Sequence, residues 1–160
     1  MNLFKSGKIK FFNKLKPEFE FLKDVKFLKG LSTGELKQFS KLLHERKFKE
    51  NEIIFKKGYP HAVLYIVGSG ELKVILERDD SAVINLATVK KSDHFGEIGL
   101  FTESNRTATV IGKTDSVLYA VSKSDFTDFI NIYPKISIKI LYNISKSLCD
   151  KISKTNDKLK

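Results

Sequence analysis

The sequence predicts a mainly β chain with flanking α-helices: a double-stranded β-helix, or jelly roll, of about eight strands, preceded by N-terminal helices and followed by a pair of C-terminal helices. Three observations predict it. Between residues 45 and 121, apolar residues recur with period two in short runs, separated by turn chemistry rich in Gly, Asn, Asp and Ser. Before and after that stretch the apolar period is 3.6, the mark of helices docked by one face. The helical parts also carry start signals, including Ser32-Thr33-Gly34-Glu35, which has the spacing of a capping box.

In chain order, residues 1–16 carry Lys5, Lys8, Lys10, Lys14 and Lys16 and no acid, with Phe4, Phe11, Phe12 and Leu15 in an approximate helical stripe. A basic amphipathic helix can lie on an anionic membrane. Such segments more often pack on their own domain or act as an arm, and no membrane contact is expected. Pro17 breaks or starts a helix, and Phe19, Phe21, Leu22, Val25, Phe27 and Leu28 follow, ending at Gly30. Ser32 then caps a helix with Leu36, Phe39, Leu42 and Leu43 on one face.

The β part opens with Arg46-Lys47-Phe48, a turn at Glu50-Asn51 and a strand over 52–55. Lys57-Gly58 turns into Val63, Tyr65 and Val67, alternating with Leu64 and Ile66. Gly68-Ser69-Gly70 resembles a phosphate loop only weakly, since a strand (Leu72, Val74, Leu76) and not a helix follows it; it reads as a hairpin. Arg78-Asp79-Asp80-Ser81 is a turn, 83–89 a strand, and Lys90-Lys91-Ser92-Asp93 another turn. Strands over 107–111 and 117–121 complete the set. Ser122 caps a further helix, and Pro134 starts the last one, whose Ile140, Ile144, Leu148 and Ile152 form an i, i+4 stripe that must cover the barrel, a ligand or a second copy. The tail after Lys154 is polar and expected to fray.

Length and composition suit one globular domain: 160 residues, 41% hydrophobic. The formal charge of +10 favours acidic partners such as phosphates, nucleic acid, an anionic membrane face or an acidic protein, and is equally what lysine enrichment alone would give. The lone Cys149 has no internal disulfide partner and reads as an inert thiol in an apolar helical run. Without a membrane-span run or a secretory pattern, a cytoplasmic location is expected.

Catalytic chemistry is poorly served. His44, His61 and His94 are dispersed with no His-x-His pair, so no metal site is expected. No Ser or Cys nucleophile sits in a recognisable motif with a base. Glu97 and Glu103 could act as acid and base, but a carboxylate after a glycine more often accepts hydrogen bonds from ligand hydroxyls, so a non-enzymatic role is expected.

The run 95–110, Phe-Gly-Glu-Ile-Gly-Leu-Phe-Thr-Glu-Ser-Asn-Arg-Thr-Ala-Thr-Val, gathers groups for one small anionic ligand. Gly96 permits close backbone approach or a conformation closed to other residues. The Glu97 carboxylate is an acceptor suited to a ribose 2′-OH. Ile98, Gly99, Leu100 and Phe101 can form one helical turn whose free N–H groups would face an anion. Arg106 brings a permanent charge with a fork of donors matched to phosphate, and Thr107 a neighbouring hydroxyl.

Phe95-Gly96-Glu97-Ile98-Gly99-Leu100 followed by Asn105-Arg106-Thr107-Ala108-Thr109-Val110 resembles the phosphate-binding cassette of the cyclic nucleotide-binding domain family, which includes catabolite activator protein, regulatory subunits of cyclic-nucleotide-dependent kinases, and cyclic-nucleotide-gated channels. Phe27-Leu28-Lys29-Gly30-Leu31 is similar to the family's helical lead-in, and 65–74 to its barrel hairpins. The resemblance implies no bound cofactor but a cAMP or cGMP ligand, held by Gly96, Glu97 (ribose 2′-OH), Ile98, Gly99, Leu100, Arg106 (cyclic phosphate), Thr107 and Ala108. Val74 and Ala87 would lie against base or sugar, and the last helix would act as a lid. Gly99 stands where many members have alanine and Asn105 where proline is frequent; neither removes a ligand-binding group. A threonine after the cassette arginine is associated in the family with cGMP, which leaves the base open here.

The implied organisation is a basic, partly helical extension (1–22), a cyclic nucleotide-binding domain (23–154) and a polar tail (155–160). No DNA-binding, kinase, cyclase or channel segment is recognised, so a free-standing sensor is expected, with a homodimer through the C-terminal helix permitted and the downstream effector unknown. The rival reading is a degenerate relative serving as an interaction module, its basic surface binding an acidic protein, nucleic acid or membrane.

Overall fold

Two four-stranded antiparallel sheets face each other in the computed structural model, which describes residues 14–60, 62–77 and 82–157, the last four of these by backbone alone. The strands are β1 (His44–Phe48), β2 (Ile53–Phe55), β3 (Val63–Ser69), β4 (Glu71–Glu77), β5 (Val83–Lys90), β6 (His94–Phe95), β7 (Thr109–Gly112) and β8 (Ser116–Ser122). One sheet runs β1-β8-β3-β6, the other β2-β7-β4-β5. All but one match the period-two runs of the sequence; the exception is the two-residue β6, which pairs with β3. The strand expected from Thr107 starts two residues later, because Thr107 and Ala108 border a cavity and do not join the ladder.

The continuous apolar run in β3 is explained by its place: it is covered on both faces, as a strand with no polar side must be. Leu64 and Ile66 point into a core shared with the helices, together with Tyr119 and Val121 of β8. Val67 and, partly buried, Tyr65 point between the sheets, where Leu72, Phe95, Val110 and Leu118 complete a second core. The hairpin into β4 turns at Gly70, with φ +84°; a Cβ there would lie 2.5 Å from the Asp115 carbonyl oxygen, so glycine is required on both counts.

The helical layer comprises two 3-10 segments, Pro17–Asp24 and Lys26–Leu28, then α1 (Thr33–Ser40), α2 (Lys123–Ile132) and α3 (Pro134–Asp157). Ser32 Oγ accepts the Glu35 N–H at 3.3 Å while Glu35 accepts the Ser32 N–H at 2.7 Å, completing the expected capping box. Ser122 likewise caps α2 by accepting the Asp125 N–H. Leu15, Phe21 and Leu22, in the segment read as an extension, are buried in this core. The rest of the basic stripe (residues 1–13), the Arg78–Ser81 turn and residues 158–160 lie outside the described residues, while α3 continues as helix through part of the expected tail.

The α3 stripe faces its own domain: Ile140 and Ile144 are buried with Phe27, Phe39 and Phe126, and Leu148 packs beside them, whereas Ile152 is exposed. Asn143 donates to the carbonyls of Phe27 (3.2 Å) and Lys29 (2.8 Å), tying α3 to the lead-in. Among the described residues, no helix is long and apolar enough to cross a membrane.

Phe39 is fully buried and meets Phe27 and Phe129 edge-on, each at 5.9 Å between ring centroids. Phe39→Ala is therefore expected to lower unfolding free energy by about 3–5 kcal/mol, measured by urea titration.

Candidate functional site

Arg106 is fixed by its backbone before its side chain is considered. Its N–H donates to Tyr59 C=O at 2.7 Å, its C=O accepts from Gly58 N–H at 2.8 Å, and Asn105 bridges Pro60. The residue is 5% exposed, so the guanidinium is held inside the fold. It lies 3.9 Å over the Phe55 ring, a cation–π contact, and Nη2 donates to Val63 C=O at 2.9 Å. Among the described residues, Nε and Nη1 have no hydrogen-bond partner although both are buried. Burial pulls this guanidinium below its ordinary pKa, with Tyr65 opposing, yet an arginine stays charged at neutral pH. A buried cation with unused donors is costly unless an anion supplies the missing acceptors.

Gly96 ends β6 and turns the chain with φ 82° and ψ 15°, in the left-handed region. A Cβ at this position would stand 2.4 Å from Arg106 Nη1 and 2.8 Å from Val63 O. Backbone and guanidinium thus approach as closely as only glycine allows. The single helical turn expected after it is a 3-10 segment, Glu97–Leu100. The Gly99 N–H differs from expectation: it closes this turn onto Gly96 C=O at 3.2 Å and so is not a free amide. Leu100 turns its side chain into the helical core.

Glu97 is buried and bonded through Oε1 to the Lys151 ammonium of α3. Burial opposes its ionisation, but the hydrogen bond and charge of Lys151 prevail and hold the carboxyl below the usual carboxylate range. His94, one residue before Phe95, packs edge-on against Phe27 at 4.8 Å, and its buried Nε2 has no partner among the described residues. Desolvation lowers its pKa, outweighing the opposing charge of Glu97. Neither described histidine offers a shared metal site: His44 meets Asp125 at 3.3 Å on the far side of the chain's sequence and His94 packs on Phe27.

A cavity of about 150 Å³ joins these parts, lined by Phe55, Val74, Phe95 and Val110 on its apolar side, and by Gly96, Glu97, Ile98, Arg106, Thr107 and Ala108. Of the residues singled out in the sequence, Gly96, Glu97, Ile98, Arg106, Thr107, Ala108 and Val74 are thus brought together. Gly99 and Leu100 lie behind the wall, and Ala87 is exposed on β5 opposite Val74, outside the lining. The sequence reading missed Phe55, Phe95 and Lys151. The period-two pattern does place Phe95 between the sheets once His94 faces the helices; nothing local marks Lys151, 54 residues from its partner.

The model of the family described as "Cyclic nucleotide-binding domain" matches residues 45–133, more than half of the chain. The chain belongs to the cyclic nucleotide-binding domain family. Among similar members is the cAMP-dependent protein kinase regulatory subunit of Pyricularia oryzae, 28% identical over 79% of this chain and 32% of that protein. The cAMP-activated global transcriptional regulator Vfr of Pseudomonas aeruginosa is 27% identical over 79% of this chain and 61% of its own length. The chain therefore spans only part of these cyclic nucleotide-binding relatives. The N-terminal domain of a transcriptional regulator from Streptomyces coelicolor A3(2) superposes with a TM-score of 0.76 at 25% identity, covering 88% of this chain and 96% of that one. Catabolite activator protein of Thermus thermophilus shares the fold at a TM-score of 0.78 and 22% identity, covering 84% and 61%. The double-sheet jelly roll with flanking helices is the architecture shared with these two structures.

Because the His94 pKa is depressed below 6.5, the unfolded state takes up its proton first as pH falls. Stability is expected to be full above that value and to decline as pH drops through it towards the folded pKa. Thermal unfolding between pH 7.5 and 5.5 should show this slope, and His94→Gln should flatten it. Gly96→Ala is expected to displace the Arg106 guanidinium and cost more than about 1 kcal/mol, read by the same melts.

Proposed function

We propose that this chain is a non-enzymatic, cytoplasmic receptor domain for cAMP or cGMP that signals through movement of its C-terminal helices. The observation that carries the proposal is the buried Arg106 guanidinium with Nε and Nη1 unpartnered beside the cavity. A cyclic phosphodiester brings one negative charge and exocyclic oxygens, which match those donors. Glu97, buried and ionised, is then the acceptor for the ribose 2′-OH. The space of about 150 Å³ is below the roughly 300–1,000 Å³ of most ligand pockets. It suits the sugar phosphate, with the base extending outward past Val74 and Thr107 towards α3.

Movement of α3 follows only if the ligand favours one helix arrangement energetically. The outward face of α3 exposes Ile138, Tyr142 and Ile152, so the surface that such movement would alter is apolar and available to a second copy or an effector. The base is left between adenine and guanine: Thr107 is exposed at the rim, where its hydroxyl supports a guanine contact without requiring one.

Calorimetric titration with cAMP and cGMP in parallel tests the reading. At least one is expected to bind, and Arg106→Ala to weaken it about ten- to hundred-fold, since a charge-assisted hydrogen bond is worth roughly 1.5–3 kcal/mol. Unchanged affinity in the variant would remove Arg106 from the site.

A further inference from the structure

Glu97 has a buried carboxylate, and its partner comes from neither the cassette nor the barrel. Its side chain is 7% exposed, yet Oε1 is engaged by the ammonium of Lys151, near the end of α3. Arg106 is close by in the same cavity wall but is turned to Phe55 and Val63. The cassette therefore contains an acid and a base that do not neutralise each other, and the acid is neutralised from a different element.

We propose that Lys151 is a positioning residue for ligand binding: it holds the Glu97 carboxylate ionised and oriented, with one oxygen on the α3 ammonium and the carboxylate's remaining acceptor capacity directed to a ligand hydroxyl. This rests on the reading of Glu97 as a hydroxyl acceptor. A carboxylate has two oxygens and about four lone-pair sites, so an ammonium and a hydroxyl can be accepted together. Competition is therefore not forced by the geometry. Lys151 has the features of such a partner. Its side chain is 56% exposed, so the ammonium keeps much of its hydration while it neutralises a carboxylate that has lost nearly all of its own.

The other charges near this pair act more weakly on it. His94 of β6 faces Glu97, and around His94 stand Asp93 and Lys26. His94 is itself driven towards its neutral form by burial, so it cannot replace Lys151 as the counter-charge at neutral pH. With Lys151 removed, burial of Glu97 is opposed only by its own backbone N–H and by His94, the smaller of the lowering influences, and the balance moves towards the protonated acid. A protonated Glu97 offers fewer acceptor sites to a hydroxyl, and α3 loses its tie to the cassette.

The test is nucleotide affinity as a function of pH for the wild-type chain, Lys151→Met and Lys151→Arg, with cAMP and cGMP as probes and Arg106→Ala alongside. Lys151→Met is expected to weaken binding roughly three- to ten-fold at pH 7, and more at pH 5.5, as its acid limb moves to higher pH. Lys151→Arg, which retains the charge, is expected to restore both affinity and profile. Loss of affinity with an unshifted acid limb would reduce Lys151 to a packing role and overturn the proposal. Unchanged binding in Lys151→Met, with Arg106→Ala impaired, would overturn it while leaving the receptor reading intact. Tighter binding in Lys151→Met would make Lys151 a competitor for Glu97 and likewise overturn it. If the wild-type chain binds neither nucleotide, the receptor reading fails and this inference with it.

Discussion

A buried guanidinium that no carboxylate among the described residues pairs with is the constraint to which the rest of the structure answers. Placing Arg106 inside the fold forfeits most of its hydration. The protein offsets part of that loss with one carbonyl and the face of one aromatic ring, while two backbone hydrogen bonds to Gly58 and Tyr59 fix the main chain. Two nitrogens find no partner among the described residues. Glycine at position 96 is dictated by this choice, since any side chain there would collide with the guanidinium. So is the delayed start of β7, which leaves Thr107 and Ala108 at the cavity and out of the ladder. An anion accepted at such a site would relieve a deficit already built into the fold. That is a form of preorganisation.

The architecture makes that deficit sustainable. β3 has helices on one face and the opposing sheet on the other, and its first carbonyl, Val63, is the acceptor for Arg106. The guanidinium is thus anchored to a strand that is packed on both sides and paired to β8 and β6. By contrast β5 is an edge strand exposed along most of its length. Rigidity is concentrated where the charge is buried, and the sheet edge beyond Val74 is open to solvent.

Much of this was legible in the sequence because the signals are local. Alternation in 63–67 and 117–121, the reciprocal Ser32–Glu35 cap, and the Gly96-Glu97 and Arg106-Thr107 pairs each act within a few residues. The cassette residues could be named, and most of them do border one cavity. What was illegible depends on distance in the chain. The Lys151–Glu97 pair spans 54 residues, and no spacing rule joins a helix lysine to a carboxylate after a strand. The Phe55–Arg106 stack is likewise a product of sheet pairing between β2 and β7. The Gly99 amide differs from expectation for a different reason. A 3-10 turn closes its hydrogen bonds one residue sooner than an α-turn, so the Gly99 N–H that seemed available is taken by Gly96.

Asn143 gives the two ends of the fold a common fate. Its amide nitrogen donates to the carbonyls of both Phe27 and Lys29, so the middle of α3 is bonded to the backbone just ahead of α1. A rotation or translation of α3 must either carry that lead-in with it or leave two peptide carbonyls and one amide to find new partners. Chain that precedes the barrel and chain that follows it are therefore geared together, although more than a hundred residues separate them along the backbone. Whatever senses the position of one end can read the state of the other.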